Sequence, residues 1–282
     1  MPVTVAGYTV EPLVDVEGAF FPLAVVFPDV PFEAWEPYRD RFPDTFVHET
    51  MLYTRVACYL IRGHGRTVLV DAGIGPGPDP LFGHQRGRLL QELAQRGLAP
   101  GDIDTVILTH LHPDHIGWAA QSGQPTFPRA RYLVHARELE TFQREDVRAA
   151  MHQIAPGYLD RCLDPLEQAG ILATVDDDTE IAPGLHVTIS RGHTPGMMRV
   201  VLSGTPDSLW LVADTFTHPA QVTEPTWCSA FDMDRSQAIA TRLEVLGRAH
   251  EEDALVFASH FPTIPGRIRQ ENGSFCWEPI SD

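Results

Sequence analysis

The stretch Thr109-His110-Leu111-His112-Pro113-Asp114-His115 constrains this chain more than any other, because three imidazoles and a carboxylate follow directly on the strand-like run 104–108. A short apolar run bounded by polar residues predicts a buried strand, and the carboxyl end of such a strand is where open α/β architectures gather reactive groups. Residues at i and i+2 of an extended backbone point the same way. His110 and His112 are therefore expected to grip one ion, while Asp114 and His115 swing past the turn to a second. Imidazole and carboxylate suit zinc and similar first-row divalent ions, and the absence of a neighbouring thiolate points away from an iron–sulfur site.

Strands and helices alternate along the rest of the chain. Residues 55–71 read as a hairpin turning at Gly63-His64-Gly65, and a glycine- and proline-rich loop follows. Leu89, Leu90, Leu93 and Leu98 form a helical stripe, and residues 138–168 are helix-rich with Met151, Ile154, Leu159, Leu163 and Leu166 on the inner faces. Strands return at 185–190, 198–202 and 209–212. A last helix starts after Asp234 as N-cap and runs through Ile239, Leu243 and Leu246, before a buried strand at 255–258.

His193, Asp214 and His260 repeat the placement of His110, each standing at or just past the end of an apolar strand and before turn-forming sequence. Together they complete a ligand set: His110, His112 and His193 for one ion, Asp114, His115 and His260 for its neighbour, and Asp214 bridging both.

Composition narrows the function. At 282 residues and 43% hydrophobic, the chain is expected to fold as one domain, 1–282, with residues 1–50 as an N-terminal lid or dimer arm. Its 38 acidic side chains outweigh 21 basic ones, all arginine, for a net charge of −17, which disfavours nucleic acid and anionic membrane as partners. No export signal and no bilayer-length apolar run are read, and the four cysteines form no C-x-x-C pair, so reduced thiols in a cytoplasmic protein are expected.

His110 to His115, Gly192-His193-Thr194-Pro195-Gly196, Ala213-Asp214 and Ser259-His260 resemble the successive motifs of the metallo-β-lactamase fold superfamily, and Leu69-Val70-Asp71-Ala72-Gly73 resembles its early aspartate turn. The resemblance runs over about residues 58–266. It implies an α/β four-layer αββα sandwich with a dinuclear site along one edge, the ligand assignment above, and Asp71 as an orienting partner of a ligand histidine. Asp214 to Asp234, Ala240-Thr241-Arg242 and His260-Phe261-Pro262 resemble the branch with methyl parathion hydrolase and lactonase-like enzymes. Acyl-homoserine lactonases carry a tyrosine three residues past the bridging aspartate. Thr217 stands there in this chain, which argues against a dedicated quorum-quenching lactonase while leaving lactone hydrolysis open.

The resemblance implies a binuclear hydrolase with two divalent ions, Zn2+ first and Mn2+, Co2+ or Fe2+ as alternatives. A metal-bridging hydroxide would attack a hydrophobic ester, lactone or phosphotriester, with Asp114 orienting it or passing its proton to the leaving group. The small-molecule substrate would meet aromatic surface from Phe20, Phe21, Phe27, Trp35, Phe42, Phe46, Trp118, Phe216, Trp227 and Phe231, with His218 as a further contact, and a homodimer is compatible with these residues. The rival is a mononuclear iron persulfide dioxygenase of the same fold, which has no direct need of Asp114, His115 and His260 as ligands.

Overall fold

The computed structural model describes residues 2–204 and 207–280, and the chain divides into two compact units. The first comprises Met1–Val16 and Val56–Thr179; the second comprises Glu17–Arg55 and Glu180–Asp282.

A sheet whose residues belong mainly to the first unit has the strand order Val3–Val5, Tyr8–Pro22, Met51–Gly63, Arg66–Val70, Thr105–Ile107, Arg131–His135, Leu172–Val175. The last four pair in parallel, with Val70 opposite Ile107 and Ile107 opposite Leu133. Parallel strands are covered on both faces, which is why Val68-Leu69-Val70 and Val106-Ile107 are uninterrupted apolar runs. Leu60, Leu69, Val106, Tyr132 and Val134 pack with Leu89 and Leu93 of the Leu89–Gln95 helix and with Phe142, Leu159, Leu163 and Leu166 of the helical middle. Each fully buried side chain of this size contributes about 1.5–3 kcal/mol. Met151 is buried as the helical pattern predicts, but Ile154 is 45% exposed: it is the last residue of the Glu145–Ile154 helix, where the chain turns away.

The second unit has a sheet ordered Asp178–Ala182, Leu185–Ile189, Met198–Ser203, Ser208–Leu211, Leu255–Phe257, Gly266–Glu271, Ser274–Pro279. The Ser208–Leu211 and Leu255–Phe257 strands are parallel. The Arg235–Glu251 helix starts at Asp234, whose side chain accepts the Gln237 N–H at 3.0 Å, as the N-cap reading requires. Its buried face differs from the predicted one. Ala238, Thr241, Arg242, Val245, Leu246 and Ala249 point inward, whereas Leu243 is 49% exposed. Both sets satisfy helical spacing, and the choice falls on the set containing Arg242 because that guanidinium meets a row of buried acceptors.

Within the segment 1–50, read as a lid or dimer arm, Val3–Val5 and Tyr8–Pro22 are strands, and Phe27 and Trp35 are buried core of the second unit. The C-terminal hairpin was not anticipated, although Asn272 and Gly273 carry φ of 50° and 85°, the two left-handed residues of a type I′ turn, between strands that pair Glu271 with Ser274. Among the described residues no helix is long and apolar enough to cross a membrane.

Candidate metal centre

The chain offers its chemistry as two sets of side chains, one in each unit. In the first unit the Thr105–Ile107 strand ends and Leu108 N–H still bonds the Leu133 carbonyl. Asp71, just past the neighbouring parallel strand, then takes over. Its Oδ1 accepts the Thr109 N–H at 2.8 Å and its Oδ2 accepts the Thr109 hydroxyl at 2.9 Å. This fixes where the chain leaves the sheet, and Pro113 opens a short helix, Pro113–Ile116, that carries Asp114 and His115. The His110 and His112 rings lie 4.8 Å apart, and those of His110 and His115 lie 3.9 Å apart. His110 and His115 are fully buried; His112 and Asp114 are half-buried.

Hydrogen bonds fix which ring nitrogen each histidine offers. A carboxylate only accepts, so the His115 Nδ1, 2.8 Å from Asp71 Oδ2, carries its hydrogen and Nε2 faces Asp114 Oδ2 at 3.7 Å. The Thr109 hydroxyl spends its one hydrogen on Asp71, so at 3.1 Å it accepts from His110 Nδ1. The peptide between His110 and His112 is held from both sides: Leu111 N–H donates to the buried Glu138 carboxylate at 3.0 Å, and the Leu111 carbonyl accepts the Tyr158 hydroxyl at 2.8 Å.

The second unit repeats the arrangement. His193 follows Gly192, whose φ of 127° and contact with the Arg235–Glu251 helix exclude a side chain: a Cβ there would lie 2.2 Å from the Ala238 nitrogen. His193 Nδ1 donates to Asp232 Oδ1 at 3.1 Å, and its Nε2 lies 3.4 Å from Asp214 Oδ2. His260 Nδ1 donates to the Arg55 carbonyl at 2.9 Å, and its Nε2 faces the same Asp214 oxygen at 2.9 Å. Ala213, at φ 46°, makes the turn that presents Asp214. Burial would raise the Asp232 carboxyl, but the hydrogen bond from His193 and the Arg242 guanidinium outweigh it and hold the group below the usual carboxylate range.

Four imidazoles thus commit Nδ1–H to the protein. At His260 and His193 the Nε2 lone pair confronts a carboxylate oxygen, and two acceptors at such distances need a proton or a cation between them. The donor set fits a divalent cation: imidazole nitrogens, four of them oriented by a partner on the far side of the ring, beside carboxylate oxygens.

The remaining candidates are placed as follows. The Thr217 and His218 N–H groups both donate to Gln221 Oε1, at 2.7 and 3.1 Å. His218, read as a substrate contact, lies buried among Phe27, Trp35, Phe42 and Phe46. Its Nδ1 accepts the Ala220 N–H and its Nε2 bonds Thr45 Oγ1, so both ring nitrogens are engaged within the protein. Burial lowers its pKa to about 3, so the ring is neutral. Of the aromatic residues named for a pocket, Phe27, Trp35, Phe42, Trp118 and Phe216 are buried core, whereas Phe20, Phe21, Phe46, Trp227 and Phe231 are half-buried. Sequence reasoning gave no role to Glu138, Tyr158, Asp232 or Arg242. Asp232 sat in a quoted motif without an assignment, and Glu138 acts on a backbone N–H, which leaves no spacing signal.

Residues 53–260 match the family model described as the metallo-beta-lactamase superfamily. The chain is 29% identical over 162 residues to the N-acyl homoserine lactonase AiiB of Agrobacterium fabrum (strain C58 / ATCC 33970), an alignment covering 51% of this chain and 56% of that protein. With an N-acyl homoserine lactonase of Bacillus cereus it shares 24% identity over 255 residues, 83% of this chain and 90% of the relative. Against the first of these relatives the chain spans about half of the partner's length, and against the second nearly all of it. The structure of AidC, a dizinc quorum-quenching lactonase in complex with a product, matches with a TM-score of 0.85 at 22% identity, covering 100% of this chain and 97% of that one. The likeness extends over the whole chain and is one of fold, the metallo-β-lactamase fold. With the family model matched across most of its length, the chain belongs to the metallo-beta-lactamase superfamily.

Proposed function

We propose that His110, His112 and His193 hold one divalent ion, that Asp114, His115 and His260 hold a second, that Asp214 bridges them, and that the two units act as one hydrolase domain. The protein is a metal-dependent hydrolase. The observation that carries the ligand assignment is the common orientation of four of the five imidazoles, those of His115, His110, His193 and His260, with Nδ1–H on Asp71, Thr109, Asp232 and the Arg55 carbonyl and Nε2 on the opposite side of the ring. Zinc is the preferred metal, by chemistry of the donors and because AidC is a dizinc enzyme.

Such ions supply Lewis acidity to a substrate carbonyl or phosphoryl oxygen and lower the pKa of water. The chain's own residues do the rest. Asp114, half-buried at the start of its short helix, would take the proton that the attacking water gives up and deliver it to the leaving oxygen. Asp71 and Asp232 hold His115 and His193 in the Nδ1–H tautomer. The half-buried Phe20, Phe21 and Phe231, with the Phe21 and Phe231 ring centroids 6.0 Å apart, offer apolar surface to a hydrophobic substrate.

A hydrophobic lactone is the first substrate class, since both relatives named above are N-acyl homoserine lactonases; aryl esters and phosphotriesters follow. Those relatives do not favour a mono-iron persulfide dioxygenase. The test is metal content by elemental mass spectrometry on protein purified without added metal, alongside turnover of a lactone, an aryl ester and an aryl phosphotriester. Near two zinc, manganese or cobalt per chain with hydrolysis supports the reading. About one iron, with oxygen consumed on glutathione persulfide and no hydrolysis, overturns it.

A further inference from the structure

Arg242 is 1% exposed on the inner face of its helix, a position where an apolar side chain would satisfy packing alone. Its donors diverge. Nε donates to the Thr215 carbonyl at 2.9 Å. Nη1 donates to the carbonyls of Pro225 at 3.1 Å and Trp227 at 3.0 Å and reaches Cys228 Sγ at 3.6 Å. Nη2 pairs with Asp232 Oδ2, which also accepts the Ser229 N–H at 2.9 Å, while Asp232 Oδ1 takes the His193 ring at 3.1 Å. Thr215 adjoins Asp214. One buried guanidinium therefore reaches His193 through a carboxylate and Asp214 through a peptide.

Resting on the ligand roles proposed for His193 and Asp214, we infer that Arg242 is a positioning residue that sets the His193 imidazole and the Asp214 turn, so that this half of the ligand set is built before any ion arrives. The segment from Asp214 to Asp232 contains no strand, and its helical content beyond the Asp214 turn is the short Ala220–Thr223 turn. Its carbonyls at 215, 225 and 227 are supplied with donors by Arg242. A planar fork with five N–H groups spans acceptors in separate directions, whereas a lysine ammonium presents three donors from one point. A lysine here can keep one contact to Asp232 but loses the backbone arms that fix where that carboxylate meets His193.

The experiment titrates metal-free protein with zinc against a chromophoric chelator, for wild type, R242K and the double variant D232N/R242M, which leaves no charge of this pair buried. R199K serves as a control: Arg199 is a second buried arginine of this unit, 2% exposed and paired with Glu244. Nitrogen-15 NMR of the His193 ring in metal-free wild type and R242K supplies a reading that packing alone would not move. The expected result is a folded R242K whose zinc affinity falls 10- to 100-fold, a His193 that is the Nδ1–H tautomer in wild type and mixed in R242K, and an R199K that loses stability but not affinity.

A folded R242K or double variant with less than tenfold loss overturns the inference. An Nε2–H tautomer in wild type does so as well. Failure of both variants to fold assigns Arg242 to folding alone and overturns it too. If wild type binds no zinc, the ligand reading fails instead, and the tautomer shift in R242K still decides whether Arg242 sets His193.

Discussion

Asp71 and His115 are joined by a hydrogen bond of 2.8 Å between two almost fully buried side chains, and Asp71 makes it from a left-handed backbone at φ 62°. A non-glycine residue in that region costs free energy. The same carboxylate anchors Thr109 twice, so the strained turn fixes both the exit of the chain from the sheet and the orientation of the His115 ring.

Asp71→Asn tests this coupling. The amide keeps one acceptor oxygen for three donors, so a buried donor is left unpaired at a cost of about 1–3 kcal/mol. Urea unfolding of the metal-free variant is expected to show that loss, and zinc competition a 10- to 100-fold weaker affinity. Wild-type affinity in a folded variant would remove the orienting role from Asp71.

Gly192→Ala adds a methyl group against the helix backbone at a φ of 127°, a conformation that L residues rarely adopt. The collision is with the Ala238 nitrogen and Cα, neither of which is a flexible side-chain end. A destabilisation of about 3 kcal/mol is expected, read as a lower urea midpoint with unchanged slope. An unaltered midpoint would mean that the turn before His193 relaxes freely.

His110, His193, Asp214 and His260 were legible because each follows a run that parallel or central strands keep apolar, and strand ends are where a polar residue is conspicuous. Asp232 and Arg242 were not, since their roles depend on which nitrogen of His193 faces inward, a fact that no spacing encodes. Leu243 and Arg242 are adjacent on one helix, and periodicity alone favours the leucine; only the carbonyls waiting inside reverse the choice. The Asn272-Gly273 hairpin, by contrast, carries an explicit turn signal in the sequence itself.

His218 predicts a specific acid sensitivity. Its pKa of about 3 in the folded protein stands below the value of about 6.5 expected in the unfolded chain. Above pH 6.5 the ring is neutral in both states and has no effect. As pH falls the unfolded chain gains a proton that the folded protein refuses, and stability is lost at about 1.4 kcal/mol per pH unit down toward pH 3. His218→Gln removes this term. In metal-free protein the urea-derived stability lost between pH 8 and pH 5 is expected to be smaller in the variant by about 2 kcal/mol. Equal losses in both proteins would show that His218 takes up its proton without unfolding.

Asp114 is the residue on which the proposed proton transfer depends. It is half-buried, its Oδ2 stands 3.7 Å from His115 Nε2, and it belongs to a short helix held at its base by the His112 carbonyl and the Ala72 N–H. Asparagine preserves shape and one oxygen donor while losing the ability to accept a proton at neutral pH. With zinc added to saturation, so that weaker metal affinity is compensated, Asp114→Asn is expected to lower kcat on a lactone by about 10²–10⁴-fold while leaving KM nearly unchanged, the pattern of a group that acts in the transition state. Substrates with good leaving groups need less protonation, so an activated aryl ester should suffer less than the lactone. An equal fall on both substrates would place Asp114 among the ligands only, and full turnover on both would remove it from the chemistry.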